Sequence, residues 1–383
     1  MDQVTGTMYN GMYVGKTALI TGHTGFKGAW LALYLLRLGA HVVGYSLPAP
    51  TSPSLFQKTD LAAALTHIEG DIRHTAALTE VVRSHKPDFI FHMAAQPLVL
   101  ESYQNPVETF DVNVMGSISV MEAVRAARQP CALIMVVTDK CYENREWHYG
   151  YRETDALGGY DPYSASKAAM DIAVSSYRSS FFNPTDAHEH GVMVAQVRSG
   201  NVIGGGDWAD ARIVPDAARA FAKGETLLVR NRRSVRPWQH VLEPLSGYLW
   251  LAAKLRGSDG MRCAAAYNFG PQITESHSVG ELADAMVQAW GDGVIWQDLT
   301  DPRAPHEAGL LKLSIDKAHA ELGWSPVWDF ETTVRRTMQW YKAALSAEPA
   351  VVRDLCDGDI EAYERDAAAK RVLWTQSAGV EHA

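Results

Sequence analysis

Short apolar runs alternate with longer amphipathic segments from Lys16 to about residue 204. The short runs have the length of buried strands, and the longer segments repeat their apolar residues at helical spacing. The predicted strands are TALITG, HVVGYSL, DFIFHMAA, CALIMVVTD and VMVAQVRSGNVIG, and the predicted helices are AWLALYLLRLGA, ALTEVVRSHKP, NVMGSISVMEAVRAAR and SASKAAMDIAVSSYRSSFF. Strands and helices that alternate in this order form a parallel sheet with helices on both faces. The pattern therefore predicts an α/β fold with a doubly wound parallel sheet.

The pattern changes after about residue 204, where Gly, Pro, Arg and Trp become denser, as in GGGDW, NRRSVRPWQH and ELGWSPVW. We predict a first domain at residues 14–203 and a smaller C-terminal α/β region for substrate binding at 204–346. Segments around 236–272 are expected to return to the first domain. Residues 347–383 are charged and rich in Ala, and we predict a peripheral tail.

Composition restricts the class of protein. Of the 383 residues, 47% are hydrophobic and 21% are charged, which is ordinary for a soluble globular protein. The net charge of −9 argues against nucleic acid or an anionic membrane as a partner. No apolar run approaches the roughly 20 residues of a membrane span, and the N-terminus has no signal-peptide pattern. We expect a cytoplasmic protein.

Cysteine and histidine positions bear on redox chemistry and metal binding. The four cysteines lie far apart without a CxxC, so free thiols are expected, as in a reducing compartment. The HEH triplet at residues 188–190 offers two histidines without a third ligand nearby in sequence. We expect no metal site.

A glycine-rich loop follows the first predicted strand and opens the first helix. It reads Thr21-Gly22-His23-Thr24-Gly25-Phe26-Lys27-Gly28, with the spacing GxxGxxG. Glycines at these places let the backbone turn tightly and approach a pyrophosphate, which then lies at the positive helix N-terminus. The strand–turn–helix context predicts a dinucleotide site in a Rossmann-type domain.

The second strand ends at Gly44-Tyr45-Ser46 without the Asp or Glu that binds an NAD ribose, and no Arg follows for the phosphate of NADP. This position therefore leaves NAD and NADP open. Farther along, Asp71 follows a short strand and is placed to accept a hydrogen bond from an adenine amino group. The stretch His92-Met93-Ala94-Ala95-Gln96 ends the next strand with small residues where a cofactor could lie.

Tyr163 and Lys167 are one helical turn apart and project from one helix face. A free Tyr, with a pKa near 10, is a poor base, and a nearby ammonium and a positive nicotinamide ring would lower that pKa. Tyr163 could then take the proton of a substrate hydroxyl. Thr138 closes the fourth strand, where its hydroxyl could hydrogen-bond the same substrate oxygen, and Asp139 and Lys140 follow in the same crevice.

With these motifs, the chain resembles the extended short-chain dehydrogenase/reductases that act on nucleotide sugars, and among them the bacterial 4,6-dehydratases of CDP-glucose. The resemblance covers about residues 15 to 345. It rests on the stretches GHTGFKGAWL, HMAAQPLV, NVMGS, DKCYENREW, GGYDPYSASK, SFFNP, GNVIGGGDW, RPWQHVLEPLSGY, YNFGP and LGWSP.

The resemblance implies NAD as the cofactor and CDP-glucose as the substrate, in the biosynthesis of deoxysugars for surface polysaccharides such as the lipopolysaccharide O-antigen. It also implies a homo-oligomer, dimer or tetramer, paired through the helices after Asn113 and after Tyr163. The residues expected to bind the cofactor are Gly22, Thr24, Gly25, Phe26, Lys27, Gly28, Asp71, Ile72, Ala94, Ala95, Gln96, Asn113, Tyr163 and Lys167.

The Asp139–Lys140 pair gains a role from the resemblance. A 4,6-dehydratase oxidises carbon 4 of the sugar, eliminates water across carbons 5 and 6, and reduces carbon 6. Oxidation needs Thr138, Tyr163 and Lys167, whereas elimination needs a further acid and base. We assign Asp139 as the acid, with a pKa raised by burial. Lys140 is the candidate base or electrostatic partner at carbon 5, and a Lys base would need a strongly lowered pKa.

On the substrate side, the resemblance points to Asn201, Arg212, Arg236 and His306, with Arg236 as the main clamp on the diphosphate. One departure is Leu100 in PLVL, where the family has Arg, and it leaves the exact sugar open. Alternatives are another 4,6-dehydratase, a 4-epimerase, a net dehydrogenase, or a catalytically silent nucleotide-sugar sensor.

Overall fold

The computed structural model describes residues 8–299 and 309–376. Its strands are β1 (Thr17–Thr21), β2 (His41–Ser46), β3 (Thr66–Glu69), β4 (Phe89–His92), β5 (Cys131–Val136), β6 (Val192–Ser199), β7 (Val202–Ile203), β8 (Leu227–Val229), β9 (Val235–Arg236), β10 (Gln239–His240), β11 (Ala266–Phe269), β12 (His277–Ser278) and β13 (Trp296–Asp298).

The α-helices are α1 (Phe26–Arg37), α2 (Leu55–Lys58), α3 (Leu61–Ala64), α4 (Thr75–His85), α5 (Val99–Gln104), α6 (Pro106–Phe110), α7 (Gly116–Ala127), α8 (Pro162–Ser180), α9 (Ala187–His190), α10 (Ile213–Ala222), α11 (Leu242–Arg256), α12 (Gly260–Cys263), α13 (Val279–Trp290), α14 (Phe330–Ala344) and α15 (Pro349–Ala369). The 3-10 helices are Met8–Gly11, Asp139–Cys141, Pro184–Asp186 and Leu373–Thr375, and the π-helical turns are Asp111–Met115 and Ala318–Leu322.

Seven strands form one parallel sheet in the order β11-β6-β5-β4-β1-β2-β3. The order reverses direction between β1 and β4, which opens a crevice at the carboxyl ends of the strands. The predicted doubly wound parallel sheet is confirmed. Its seventh strand, β11, comes from residues far beyond the glycine loop and lies next to β6.

Two apolar cores cover the two faces of this sheet. One contains the inner side of α1, together with α11 and the C-terminal helices. The other lies under α4, α7 and α8. Because the central strands are covered on both sides, β5 is buried at every residue, which explains its continuous apolar sequence.

The remaining strands make three short pairs outside the main sheet. Strand β7 pairs with β10 and β8 with β13 in parallel, and β9 pairs with β12 antiparallel. These pairs hold the loops that follow β6. Within the described residues, no helix is long and apolar enough to cross a membrane.

The prediction of a peripheral C-terminal tail is wrong for the described part, residues 347–376. Helix α15 packs on α1 and α14, and Cys356, Ile360 and Tyr363 are fully buried in the core. The Tyr363 hydroxyl donates a hydrogen bond of 2.7 Å to Glu243 on α11. The charged residues that suggested a solvated tail lie on the outer side of an amphipathic helix, whose apolar side completes the core.

Candidate active site

The glycine loop brings the ends of β1 and β4 into contact. Gly22 has a φ of +80°, and a Cβ there would lie 2.7 Å from the backbone nitrogen of Ala94. A Cβ on Gly28 would lie 2.2 Å from the Gly22 carbonyl oxygen. Only glycine fits at both positions, so the backbone leaves a narrow cradle in front of α1. The loop predicted from the glycine spacing thus makes the tight turn before a helix N-terminus at which a pyrophosphate can bind.

The end of β2 is closed by neutral side chains. The Thr24 hydroxyl bonds the Ser46 hydroxyl at 2.8 Å and donates to the Leu47 carbonyl at 3.0 Å. His23 is buried against Gly44 and bonds His67 at 2.7 Å between ring nitrogens. Burial lowers the pKa of His23 to about 4, so the ring is neutral. The position where a ribose-binding acid was expected is thus surrounded by hydroxyl groups and a neutral ring.

Asp71 and Asn113 flank the next part of the predicted groove. The Asp71 carboxylate accepts hydrogen bonds from the Arg73 guanidinium at 2.6 to 3.1 Å. A ligand that bonds Asp71 therefore has to compete with Arg73 for this carboxylate. Asn113 lies in a π-helical turn, a widened turn that often occurs at functional sites. Its side chain accepts from the Gln96 backbone at 2.9 Å and donates to Ser166 on α8 at 2.9 Å. Asn113 therefore ties the end of β4 to the helix of Tyr163 and Lys167.

Helix α8 begins where its sequence dictates. Asp161 caps it by accepting from the Ser164 backbone at 2.9 Å, and Pro162 occupies the first turn. Tyr163 is therefore in the first turn and Lys167 one turn later. The Lys167 amine is buried and donates to the Val136 carbonyl at 3.2 Å. Burial, followed by the charge of Lys27, lowers the pKa of Lys167 to about 8.

The pKa of Tyr163 is predicted to be lowered by a nearby ammonium and a nicotinamide ring, and burial acts on it in the opposite direction. Burial raises the pKa of Tyr163 to about 12, the neighbouring Thr138 hydroxyl and the charge of Arg212 lower it, and the charge of Asp139 raises it. Any lowering by a nicotinamide ring has to act against this burial.

Thr138 and Asp139 form a buried pair at the end of β5. The Thr138 hydroxyl donates to Asp139 Oδ1 at 3.0 Å, and Asp139 is 2% exposed. Asp139 Oδ2 is buried without a hydrogen-bond partner among the described residues. Burial raises the pKa of Asp139, against the charges of Lys140 and Arg236 and the Thr138 hydrogen bond. The predicted rise in the pKa of Asp139 is thus present, as a proton donor requires.

Lys140 is half-buried beside this pair, and its backbone nitrogen donates to the Thr138 hydroxyl at 3.3 Å. Among the groups that lower the pKa of Asp139, the charge of Lys140 is the largest. The arrangement supports the role of electrostatic partner, and the role of base stays a prediction.

Lys27 makes hydrogen bonds that the glycine motif does not predict. Its amine donates to the Ser199 hydroxyl at 3.2 Å and to the Tyr248 hydroxyl at 3.1 Å. Burial lowers the pKa of Lys27 to about 7, and the charge of Asp139 opposes this. The sequence feature that could have indicated these buried contacts is the position of Lys27 directly before the buried residues Gly28 to Leu35 of α1.

A buried ion pair fixes α8 against β6, and it too was missed. Arg198 donates to Asp171 at 2.7 and 2.9 Å and to the Tyr142 hydroxyl at 2.7 Å, and the two charged side chains are 3% and 0% exposed. Asp171 is one turn beyond Lys167, so this pair positions the catalytic face of the helix. An Asp four residues after the YxxxK Lys, together with an Arg inside the otherwise uncharged strand VMVAQVRS, could have indicated it.

On the predicted substrate side, Arg236 is buried and close enough to affect Asp139 electrostatically. Arg212 bonds Asp207 at 2.8 Å, and its charge reaches Tyr163. The Asn201 carbonyl accepts from the Gln239 backbone at 3.0 Å at the start of β7. His306 lies outside the described residues. Leu100, where the family has Arg, is 49% exposed on α5, so a side chain there reaches the surface.

These groups follow the carboxyl ends of the parallel strands, where ligands bind in open α/β sheets. At one end is a glycine cradle, and at the other are a phenol, a hydroxyl, a buried carboxylic acid and several cations. No cluster of three metal-binding side chains occurs in the ranges 8–299 and 309–376. The arrangement can hold a dinucleotide along the groove and exchange protons with an alcohol at its far end.

Comparison with known proteins points to one family. Residues 19–337 match the family model described as GDP-mannose 4,6 dehydratase. The chain is 46% identical over 338 residues to a CDP-glucose 4,6-dehydratase of Salmonella typhimurium, covering 88% of this chain and 94% of that protein.

Solved structures agree on the fold. The UDP-glucose 4-epimerase of Thermus thermophilus, in complex with NAD, is 25% identical with a TM-score of 0.72, covering 86% of this chain and 99% of that one. The dTDP-glucose 4,6-dehydratase DesIV of Streptomyces venezuelae, with NAD and TYD bound, is 23% identical with a TM-score of 0.71, covering 85% and 97%.

Proposed function

The chain belongs to the extended short-chain dehydrogenase/reductase family, in the group described by the GDP-mannose 4,6 dehydratase model, and we propose that it is an NAD-dependent CDP-glucose 4,6-dehydratase. The reaction converts CDP-D-glucose to CDP-4-dehydro-6-deoxy-D-glucose and water, a step in deoxysugar biosynthesis. The observation that carries the proposal is the buried Asp139 carboxyl beside the Tyr163–Thr138 pair, because an alcohol dehydrogenase or a 4-epimerase has no use for this additional acid.

The tight loop around Gly22, Gly28 and Ala94 would hold the pyrophosphate of a dinucleotide at the N-terminus of α1, because a Cβ at either glycine would collide with the backbone and force the loop open. Thr24 and Ser46 would meet the ribose, and Asn113 would hold the edge of the groove near the nicotinamide. When bound, NAD takes a hydride from carbon 4 of the sugar and returns it to carbon 6. The NAD-bound epimerase of the same fold supports NAD as the cofactor.

In the oxidation at carbon 4, Tyr163 would accept the proton of the sugar hydroxyl. The phenol oxygen lies beside the Thr138 hydroxyl, which would bond the same sugar oxygen. Lys167, held by the Val136 carbonyl, keeps a cationic amine in the same crevice. A bound positive nicotinamide ring together with this amine would lower the pKa of Tyr163 from its raised value and so make the phenolate available.

In the elimination of water, Asp139 would protonate the hydroxyl that leaves carbon 6. A ketone at carbon 4 makes the hydrogen at carbon 5 acidic, and loss of that proton expels the hydroxyl at carbon 6. Asp139, whose pKa is raised by burial, donates the proton that turns this hydroxyl into water. Lys140 supplies a positive charge next to the developing enolate, or takes the proton from carbon 5 itself.

Substrate recognition is assigned to cations at the sugar end of the groove. Arg236, buried on β9, is proposed to clamp the diphosphate, with Arg212 and Asn201 beside it. His306 is proposed for the nucleotide end.

The test is a product assay on a panel of nucleotide sugars with purified enzyme. CDP-glucose should yield a 4-keto-6-deoxy sugar without net consumption of NAD. A carbon 4 epimer as the product would establish the epimerase instead, and steady accumulation of reduced cofactor would establish a net dehydrogenase. Preference for dTDP- or GDP-sugars would keep the dehydratase and replace the nucleotide.

A homo-oligomer is also part of the proposal. Exposed apolar side chains gather on α6, the following π-helical turn and α8: Val107 is 83% exposed, Met115 52% and Ile172 56%. These elements pack against one another, and we propose that their exposed apolar side chains together make one surface, which we call the α6–α8 face. A second copy would cover it. Four free, buried cysteines support a cytoplasmic location.

A further inference from the structure

The proposed reaction leaves a proton to be returned within the enzyme. In each turnover Tyr163 gains the proton of the carbon 4 hydroxyl, and Asp139 loses one to the departing hydroxyl of carbon 6. The proton taken from carbon 5 is restored to carbon 5. The net change in the protein is one proton too many on Tyr163 and one too few on Asp139. The next turnover cannot begin until this proton has moved.

Only one side chain touches both of these groups among the contacts of the described residues. The Thr138 hydroxyl donates to Asp139 Oδ1 at 3.0 Å and is also close enough to the Tyr163 phenol to lower its pKa. The short helix that contains Asp139 packs directly on α8, which contains Tyr163. A hydroxyl can accept one proton and give up another at once, so it can connect a donor to an acceptor.

Solvent access to the acid is poor. Asp139 is 2% exposed and Thr138 is 8% exposed. Gly200 and Pro237 cover Asp139 Oδ2, since a Cβ on Gly200 would lie 3.1 Å from this oxygen and 2.3 Å from the Pro237 side chain. A bound sugar would close the remaining side of the crevice. Direct reprotonation of Asp139 by bulk water is therefore obstructed.

We propose that Thr138 returns the proton from Tyr163 to Asp139 and thereby resets the active site between turnovers. The Tyr163 O–H bond breaks as a new O–H bond forms on Thr138, and the original Thr138 proton bonds to Asp139 Oδ1. Thr138 is neutral before and after, Tyr163 becomes the phenolate, and Asp139 becomes the carboxylic acid. No redox step and no co-reactant are involved. This inference rests on the proposed dehydratase function.

Electrostatics oppose two negative charges at this place, because the charge of Asp139 makes ionisation of Tyr163 harder. Tyr163 and Asp139 are therefore expected to share one proton between them. That proton lies on Tyr163 or on Asp139 according to which of the two anions, phenolate or carboxylate, is better stabilised. A positive nicotinamide ring and the Lys167 amine favour the phenolate, whereas burial favours the neutral acid. Oxidised cofactor bound after each turnover would therefore favour the return of the proton from Tyr163 to Asp139.

The experiment compares single-turnover and steady-state rates of product formation from CDP-glucose, using cofactor-loaded enzyme at several buffer concentrations, fixed pH and fixed ionic strength. The variants are Thr138→Val, which removes the hydroxyl and keeps the shape, and Thr138→Ser, which keeps the hydroxyl. The first turnover starts from a correctly protonated site, so it reports the loss of the substrate contact alone. Later turnovers also need the relay.

In Thr138→Val the ratio of steady-state to single-turnover rate should fall by about 10²-fold, the lower end of what positioned proton transfer contributes. Its steady-state rate should rise with buffer concentration, because the buffer then supplies the proton. Thr138→Ser should keep the wild-type ratio. An equal fall of both rates in Thr138→Val would assign Thr138 to substrate binding alone and overturn the relay.

Wild-type enzyme gives an independent check if Thr138→Val fails to fold or to bind NAD. A wild-type steady-state rate that rises with buffer concentration overturns the relay, because the proton then comes from solution. Thr138→Ala, which is smaller, is the second variant, and it is expected to behave as Thr138→Val. Absence of any keto sugar from the wild type would refute the dehydratase itself. An unchanged rate ratio in variants that still make the product refutes only the relay.

Discussion

The amine of Lys27, in the first turn of α1, donates a hydrogen bond of 3.1 Å to the hydroxyl of Tyr248 on α11. Lys27 is a basic residue at the end of the glycine loop. The residues that follow it in α1, as far as Leu35, are buried and apolar or small. The glycine loop is thereby connected to α11, and through Ser199 to β6. Because burial lowers the pKa of Lys27 to about 7, the charged amine costs folding free energy.

Replacing Lys27 by Met should therefore stabilise the protein at low pH. The folded pKa lies below the unfolded value, so the cost is fully present below about pH 7 and disappears as pH rises towards the unfolded value. Lys27→Met should raise the free energy of unfolding by about 1–3 kcal/mol near pH 6, and by less near pH 10. Denaturant unfolding at both pH values measures this, with Lys223→Met, at an exposed position, as the control. An equal effect at both pH values would contradict the buried charge.

Asp139→Asn should separate oxidation from elimination. Asn keeps the size and one acceptor but cannot deliver a carboxylic proton. Oxidation at carbon 4 should continue while elimination slows by about 10²–10⁴-fold, the usual contribution of a general acid. Reduced cofactor should collect in a single turnover, visible by its absorbance. Wild-type turnover without this build-up would remove Asp139 from the mechanism.

Tyr163→Phe should keep the cofactor and lose the first step. The ring still packs at the start of α8, and only the proton acceptor is gone. Affinity for NAD, followed by protein fluorescence, should stay near the wild-type value, while no reduced cofactor forms when CDP-glucose is added. Full activity of Tyr163→Phe would mean that another base removes the proton.

Arg236→Ala should weaken nucleotide-sugar binding by roughly 2–4 kcal/mol if Arg236 makes a buried, charge-assisted contact with the diphosphate. Calorimetric titration with CDP-glucose measures the loss. Arg233→Ala is the matched control, because Arg233 is exposed three residues earlier in the same run. Equal affinity of Arg236→Ala and wild type would move the diphosphate clamp elsewhere.

Ile172→Glu should disrupt the proposed oligomer. A carboxylate in the middle of the α6–α8 face would be desolvated by a second copy without a partner. The mass in solution, measured by light scattering, should fall to that of the monomer. Ile295→Glu, at a 61% exposed Ile away from this face, should leave the mass unchanged. The same mass for all three proteins would exclude this face as the interface.

Much of the fold was readable from the sequence because it depends on local patterns. Strands such as β5 appear as apolar runs, since a parallel strand is covered on both faces. The helix predicted from Ser164 onward is α8, which begins at Pro162 because Asp161 caps it. The glycine loop was recognisable because its backbone conformation restricts Gly22 and Gly28 to glycine. The position of Tyr163 and Lys167 on one helix face follows from the helical repeat.

What the tertiary structure decided involves residues far apart in the chain. The apolar side of α15 looked like a solvated tail, because its partners on α1 and α14 are distant in sequence. Lys27 looked like a phosphate-loop residue until β6 and α11 brought Ser199 and Tyr248 to its amine. Burial raises the pKa of Tyr163 and Asp139, and burial depends on what the whole chain packs around a site. Residue spacing thus identified the reactive groups, whereas long-range packing determined their charge states, since desolvation depends on every neighbour in space.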